Sequence, residues 1–433
     1  MSHPLYQQAA RVVGQVVDKR VGMKQALFSL KDTNRLPAVS ALVHGTLDHL
    51  KDLQDAIKAA LKVSCRTPYM LEVLVFEMVW GAGKIAGGGA LVRGVKEKAA
   101  RLTELLGVSA PKAKAAAGPR YVRVNSMSQL PSAAMSNLPS GSYISALLPD
   151  VVVCPAGTWI VDSPLVADGS VALQDASSCL PPLAVNCLHS RRVLEVCSAP
   201  GSKTLHLLDR LGDSGVLVTC EKDAKRAGVL IQRIRQQRGV VGPVRAEVAG
   251  KPVSNWAKAL GRGRVSLWFR RFHQEGLGGV TIRVEIGDFL ALVRADLEEF
   301  AEEGPDLLVV DPSCSGSGLP TFKTVDVSLK RVQSLVAFQQ TILQHCLDHF
   351  QARIVCYSTC SLFYEENEGV VQHVLSERPE WKLKRPLPWW GSAAAQSAFP
   401  NVVIDKNAVD QCVRTNQEES KCRGFFLACF ERV

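Results

Sequence analysis

Four short, almost continuous apolar runs constrain this chain most: "RRVLEVC" (Arg191 to Cys197), "GVLVTCE" (Gly215 to Glu221), "DLLVVDP" (Asp306 to Pro312) and "RIVCYST" (Arg353 to Thr359). Runs of this length and composition read as strands buried on both faces. Between the last two, Val332, Leu335, Val336, Ile342, Leu343, Cys346, Leu347 and Phe350 recur at helical spacing and form one apolar stripe. Strands alternating with helices in this order predict a parallel, doubly wound sheet. Such a sheet binds its ligands at the carboxyl ends of its strands.

With 433 residues, 47% of them hydrophobic and 21% charged, the chain can bury a large core and divide into two or three domains. From Leu5 to about Gly107 apolar residues keep helical spacing, as in Leu71, Val73, Leu74, Phe76, Val79 and Trp80, which predicts a helical domain over 1–109. The glycine-rich "GAGKIAGGGA" (Gly81 to Ala90) inside it lacks the Lys-Ser/Thr ending of a phosphate-binding loop and reads as a connection between helices. "APKAKAAAGPR" has no periodicity and marks a linker over 110–118. Short extended runs, "RYVRVN" (Arg120 to Asn125), "VVVCP" and "TWIVD" (Val151 to Asp162), then predict a small α+β module over 119–180, with the doubly wound domain filling 181–433.

The net charge of +10 points to a polyanionic partner, nucleic acid first. The 13 cysteines are odd in number and scattered in apolar runs without a CxxC pair, as suits reduced thiols inside a cell. No secretory leader opens the sequence and no apolar stretch reaches the ~18 residues a membrane span needs, so no membrane association is expected.

The strand ends carry the chemistry. "EVCSAPGSKT" (Glu195 to Thr204) turns tightly at Pro200-Gly201 and opens a helix at Lys203-Thr204, leaving backbone that a ligand can approach. Glu221 ends the next strand, where its carboxylate can accept from both hydroxyls of a ribose. The pair indicates an adenosine-containing cofactor, and the missing G-x-G-x-x-G argues against a dinucleotide. Asp288, in "IGDFL", either meets the adenine edge or is a surface-turn aspartate. Arg226 either joins that site or pairs with the acidic loop.

The later strands deliver "DPSCSGSG", with Asp311 and Cys314, and "YSTCSL", with Cys360. The Ser-Gly-Ser-Gly stretch is expected to let backbone wrap closely around a planar substrate. C5 of cytosine is a poor nucleophile until a thiolate adds to C6, and Cys360 is placed to add. Asp311 is placed to hold the base at N3/N4, and Cys314 to remove the C5 proton afterwards.

Together "CSAPGSKT", "DPSCSGSG" and "YSTCSLFYEENEGVV" resemble the signature motifs of the Sun-type (Fmu-like) RNA 5-methylcytosine methyltransferases, and "PRYVRVN", "LQDASSCLPP" and "GFFLACFERV" extend the match from about Arg120 to the end. The branch it resembles most is the nucleolar one acting on large-subunit ribosomal RNA. The resemblance implies an α/β chain with a Rossmann-like seven-stranded S-adenosylmethionine-dependent domain, preceded by an RNA-recognition-like module and a helical N-terminal domain. It implies that Cys197, Ser198, Ala199, Pro200, Gly201, Ser202, Lys203, Glu221, Arg226 and Asp311 line the cofactor and base site. Cys360 is then the nucleophile, Cys314 the group for product release, RNA the substrate, and the nucleolus the location. The family usually has Asp where Glu195 and Glu221 stand and Ala or Gly where Ser198 and Ser202 stand, changes that preserve charge or size.

Two rival functions remain. A DNA cytosine-C5 methyltransferase attacks with a cysteine directly after the proline of its motif, whereas here Ser313 intervenes. An RNA-binding ribosome-assembly factor without catalysis would have lost Cys360, Asp311 or the cofactor turn, and none is lost. The stretch 239–279 is longer than the family's connection, and in it Arg262, Arg264, Arg270 and Arg271 interleave with Trp268, Phe269 and Phe272. That pattern suits RNA contact, or is an insertion without an RNA role. His345 and His349 have i, i+4 spacing but no third ligand nearby, so no metal is expected. "PLPWW" (Pro386 to Trp390) reads as a packed loop.

Overall fold

The computed structural model describes residues 4–18, 23–28, 30, 36–61, 68–107, 118–125, 137–158, 160, 163–184, 191–211, 215–236, 245–253, 257, 264–272, 279–319, 329–391, 397 and 410–433. Two compact units separate between residues 117 and 118, so most of the expected linker lies outside the described residues.

The first unit is helical: α1 (Pro4–Val17), α2 (Met23–Phe28), α3 (Leu36–Asp48), α4 (Leu50–Ala60), α5 (Met70–Val79), α6 (Ala90–Glu97) and α7 (Ala99–Leu105). Their stripes meet in one core, where Leu53, Val73, Leu74 and Leu102 are fully buried. The glycine-rich stretch connects α5 to α6, with Gly89 at the start of α6.

The second unit opens with strands β1 (Arg120–Val124), β2 (Tyr143–Ile144), β3 (Val151–Cys154) and β4 (Val171–Leu173), in the order β2-β3-β1-β4, with helices α8 (Pro164–Ala167) and α9 (Ala176–Ala184). The extended run expected over Thr158 to Asp162 falls largely outside the described residues. From β1 a buried Arg123 ion-pairs with Asp209 and donates to Gln174 Oε1 at 3.0 Å. Asp209 lies on α10 (Ser202–Arg210), the helix after the first strand of the large sheet, so the "PRYVRVN" segment docks the small sheet onto the large one.

The large sheet contains β5 (Arg192–Val196), β6 (Gly215–Glu221), β7 (Arg245–Val248), β8 (Lys251–Pro252), β9 (Val265–Phe272), β10 (Gly279–Ile286), β11 (Leu307–Val310), β12 (Ile354–Thr359), β13 (Trp381–Leu383), β14 (Val413–Thr415) and β15 (Phe425–Arg432). Seven strands in the order β10-β6-β5-β11-β12-β15-β13 form the expected Rossmann-like core. The sheet is mixed, not all-parallel: β15 runs antiparallel between β12 and β13. The chain doubles back after β13, so its last strand enters the sheet reversed, a direction that apolar content does not encode. At the opposite edge β9 pairs antiparallel with β10 over eight residues, and β7 and β8 follow. The described strands of the 239–279 stretch thus extend the sheet.

Central strands are buried on both faces. Leu307 and Val309 face one apolar cluster, Leu308 and Val310 the other, and none of the four is exposed. At roughly 1.5–3 kcal/mol per large side chain, such burial fixes the strand register and hence what each carboxyl end presents. Helices α11 (Ala224–Gln236), α12 (Leu329–His349) and α13 (Glu368–Leu375) cover the faces.

Candidate active site

The turn after β5 is shaped by two left-handed residues. Cys197 has φ +61, and Gly201 has φ +98 at the N-cap of α10. A Cβ on Gly201 would stand 2.6 Å from Leu230 Cδ1, so glycine is needed both for its φ and for the close approach of α11. The Ala199–Pro200 bond is cis. Ser198 Oγ lies within hydrogen-bonding reach of the Glu195 and Cys220 carbonyls at 3.1 and 3.2 Å. From outside, Arg226 donates to the Ala199 carbonyl at 2.5 Å and Arg233 to the Pro200 carbonyl at 3.0 Å.

Glu221 closes this turn from the next strand. Its carboxylate accepts from Ala199 N at 3.2 Å and Asp223 N at 2.9 Å, and Arg226 Nη2 stands 3.6 Å away. Arg226 thus braces the turn and pairs with the acidic strand end at once. Beyond Glu221 opens a cavity of about 510 Å³ lined by Lys222, Ala224, Gly287, Asp288 and Leu292 among others. Asp288 caps the turn that follows it, accepting from Leu290 N at 3.2 Å, and ion-pairs with Lys222 at 2.6 Å, which holds its carboxyl below the usual range. It is both a turn aspartate and a wall of the cavity.

Beneath the turn, burial pushes the Glu195 carboxyl up to about 8 despite a 2.5 Å bond from Thr204 Oγ1. A carboxyl that keeps its proton when folded, but releases it near 4.5 when unfolded, stabilises the fold below pH 4.5 and loses that contribution as pH rises through 8. Glu195→Gln is therefore expected to gain on the wild type by at least about 2–4 °C in Tm between pH 5 and pH 8, the shift about 1 kcal/mol gives in a domain of this size. Parallel melting curves across that range check it.

The ends of β11 and β12 meet beside this turn. Asp311 Oδ2 pairs with Lys203 Nζ at 2.7 Å, and Asp311 Oδ1 accepts from Ser358 Oγ at 2.8 Å. Lys203 also lies over the Phe425 ring, 5.2 Å from its centroid. Burial pulls the ammonium down, but Asp311, with Cys360 and Glu195 behind it, leaves it above 10.5 and charged. Cys314 Sγ and Cys360 Sγ are 3.0 Å apart. That contact lowers the Cys360 thiol below 9.0 and raises the Cys314 thiol well above it. By contrast, burial drives Cys197 up to about 12. Of the two, Cys360 is the thiol whose ionisation the contact favours.

Sequence reasoning missed what holds the cysteine loops. Glu366 is buried and accepts from Ser315 N, Gln339 Nε2 and Ser361 Oγ. Glu368, buried likewise, forms a two-point ion pair with Arg414, whose Nη1 donates to the Leu362 carbonyl at 2.9 Å. The available signal was "EENE" (Glu365 to Glu368) followed by an apolar segment, and Gln339 within the α12 stripe. The Ser-Gly-Ser-Gly stretch also departs from expectation. Ser315, Ser317 and Ser361 hydroxyls bond one another, and a Cβ on Gly318 would lie 2.2 Å from the Gly424 carbonyl, so Gly318 is small to admit backbone of its own chain.

In the 239–279 stretch, Arg264 pairs with Glu285 at 3.0 Å and Phe269 is buried in the core of the sheet. Arg262 and the side chains of Trp268, Arg270, Arg271 and Phe272 lie outside the described residues. His345 Nε2 sits 2.7 Å from the Leu292 carbonyl, its ring 4.5 Å from that of His349. In the Pro386–Trp390 loop Leu387 and Trp390 are buried, while Trp389 is exposed.

Comparison with known proteins follows the same lines. The family model "16S rRNA methyltransferase RsmB/F" matches residues 278–431. A 28S rRNA (cytosine-C(5))-methyltransferase of Mus musculus is 28% identical, covering 99% of this chain and 91% of the relative. A 25S rRNA (cytosine-C(5))-methyltransferase of Schizosaccharomyces pombe is 27% identical, covering 98% and 90%. Among solved structures, a methyltransferase homolog protein from Pyrococcus horikoshii superposes with a TM-score of 0.53 at 19% identity, over 88% of this chain and 99% of that one. NSun6 from the same organism, crystallised with SFG, gives 0.52 at 13% identity over 73% and 91%. Both share the fold.

Proposed function

With residues 278–431 carrying an RsmB/F-type methyltransferase domain, and nearly the whole chain similar to large-subunit rRNA cytosine-C5 methyltransferases, we propose that this protein methylates C5 of a cytosine in large-subunit ribosomal RNA. The observation that carries the reading is the Cys314–Cys360 pair, 3.0 Å apart beside the Lys203–Asp311 ion pair at the carboxyl ends of adjacent strands.

The residues present fit an adenosine-containing cofactor: bare backbone at Gly201, the Glu221 carboxylate at the neighbouring strand end, and the cavity beyond it. S-adenosylmethionine bound there supplies the methyl group. Residues 197–203, Glu221, Arg226 and Asp288 would hold it. Glu221→Ala is expected to weaken its binding about 10–100-fold, the loss of one or two charge-assisted hydrogen bonds, with Glu221→Gln in between. Calorimetric titration reads both.

Cys360 Sγ, as thiolate, adds to C6 of the cytosine. Asp311, braced by Lys203 and Ser358, holds the amino group on C4, and the Lys203 ammonium offsets the negative charge pushed toward N3. Once Cys360 is bonded to carbon it no longer presents a thiolate to Cys314, so the largest cause holding the Cys314 thiol up is gone. Cys314, as thiolate, then takes the proton from C5, the C6–S bond breaks, and Cys360 leaves as thiolate. Since C5 and C6 must both be reached, the target cytosine enters single-stranded or flipped. Basic residues of the helical domain (1–109) and the α+β module (119–180) supply the salt-dependent affinity, and the nucleolus is the expected site of action.

The test is transfer of tritiated methyl from S-adenosylmethionine to large-subunit rRNA, with DNA of the same sequence alongside. Label at C5 of cytosine in RNA supports the reading, label in DNA alone overturns the choice of substrate, and none in either overturns the enzyme.

A further inference from the structure

Behind the two cysteines lies a carboxylate that the proposed reaction does not use. Glu366 Oε1 accepts from Ser315 N at 2.8 Å and Gln339 Nε2 at 2.9 Å, and Oε2 accepts from Ser361 Oγ at 2.6 Å. Ser315 directly follows Cys314 and Ser361 directly follows Cys360. Gln339 also donates to the carbonyl of Ser313, just before Cys314, at 3.0 Å, and Tyr357 Oη donates to the Glu366 carbonyl at 2.7 Å. One buried side chain thus links both cysteine loops to helix α12.

All three donors to the carboxylate are neutral. Burying a charge on neutral donors is costly, and a neutral amide of the same shape would fill the same space. We infer that Glu366 is the positioning residue of the cysteine pair, fixing the distance between the two sulfurs and placing a negative charge behind them, so that Cys360 ionises only with Cys314 as its donor. This rests on the reading of Cys360 as the attacking group. Its charge opposes ionisation of both thiols, whereas the contact it maintains favours ionisation of Cys360. The two effects act in opposite directions and can be separated.

Glu366→Gln keeps the shape: its Oε1 retains both N–H donors and its amide donates to Ser361 Oγ. Glu366→Ala removes charge and contacts together. The experiment is the pH dependence of iodoacetamide alkylation at Cys360 in the full chain, followed by peptide mass spectrometry. The midpoint is expected to fall in the Gln variant and rise in the Ala variant, each by roughly half to one pH unit, the size of one hydrogen bond or nearby charge. Methyl transfer should lose on the order of 10²-fold in kcat in the Ala variant, recover to within several-fold in the Gln variant, and show unchanged S-adenosylmethionine affinity in both. Shifts in the same direction in both variants, or a wild-type midpoint in the Gln variant, overturn the inference. If the Ala variant does not fold, the Gln midpoint alone decides. The alkylation needs neither RNA nor cofactor, so opposite shifts in a protein inert toward RNA would sink the methylation reading and leave the assignment of Glu366 standing.

Discussion

Cys360→Ala is expected to lose methyl transfer by at least about 10³-fold while melting and binding S-adenosylmethionine like the wild type. Without covalent addition at C6 there is no enamine, and a nucleophile that defines the pathway leaves only residual rate when removed. Cofactor affinity should survive because the groups assigned to it lie on the turn after β5 and the end of β6. Its partly exposed side chain packs against the apolar core, so truncation to alanine removes little buried surface. Tritium transfer to ribosomal RNA measures the first effect, calorimetry and thermal melting the second. Transfer within a few-fold of the wild type would rule out Cys360 as nucleophile and turn attention to Cys314. A prior check is available on the free protein, where iodoacetamide should label Cys360 well before Cys314.

The second large effect belongs to Cys314. Its removal should leave addition and methylation possible but stop release, so that turnover falls at least about 10²-fold and a covalent protein–RNA adduct accumulates. The 3.0 Å sulfur contact adds a refinement. Cys314→Ala also deletes the donor that favours the Cys360 thiolate, so its adduct should form slowly at neutral pH and faster as pH rises. Cys314→Ser keeps a donor and should trap the adduct readily at pH 7. Denaturing gels of labelled RNA incubated with each variant between pH 6 and pH 9 separate the cases. Absence of an adduct in both variants, with normal turnover, would remove Cys314 from the mechanism.

Much of this architecture is legible in the residues. Doubly buried strands leave continuous apolar runs, so β5, β6, β11 and β12 and the residues at their carboxyl ends could be placed from pattern alone. What the pattern could not show was direction and pairing. The segment "GFFLACFERV" is apolar enough for a central strand, but nothing in it says that β15 runs antiparallel between β12 and β13. "VSLWFRRF" was read through its arginines and aromatic rings, whereas strand alternation sends Val265, Leu267 and Phe269 into the apolar core and leaves Ser266 and the neighbouring Arg264 to Glu285 on the other face. Cys314, Cys360, Asp311 and Glu221 could be singled out because each ends a strand or lies within a few residues of its end. Glu366, Gln339 and Arg414 were missed because most of their partners lie 26 to 52 residues distant. Polar residues within otherwise apolar segments are the trace such networks leave.

The position of β15 bears on how this chain is made. Its hydrogen-bonding partner is β12, the strand that delivers Cys360, yet β15 is translated more than sixty residues later. Until residue 432 has left the ribosome, β12 lacks its antiparallel partner, and the strand that leads to Cys360 has only one neighbour. The nascent protein therefore passes through an interval in which its sheet is most exposed to misassociation and its reactive thiol is not yet seated. Expression at lower temperature or with added holdase chaperones should act chiefly on this interval, and premature termination before Phe425 should yield insoluble protein rather than a soluble but inactive domain.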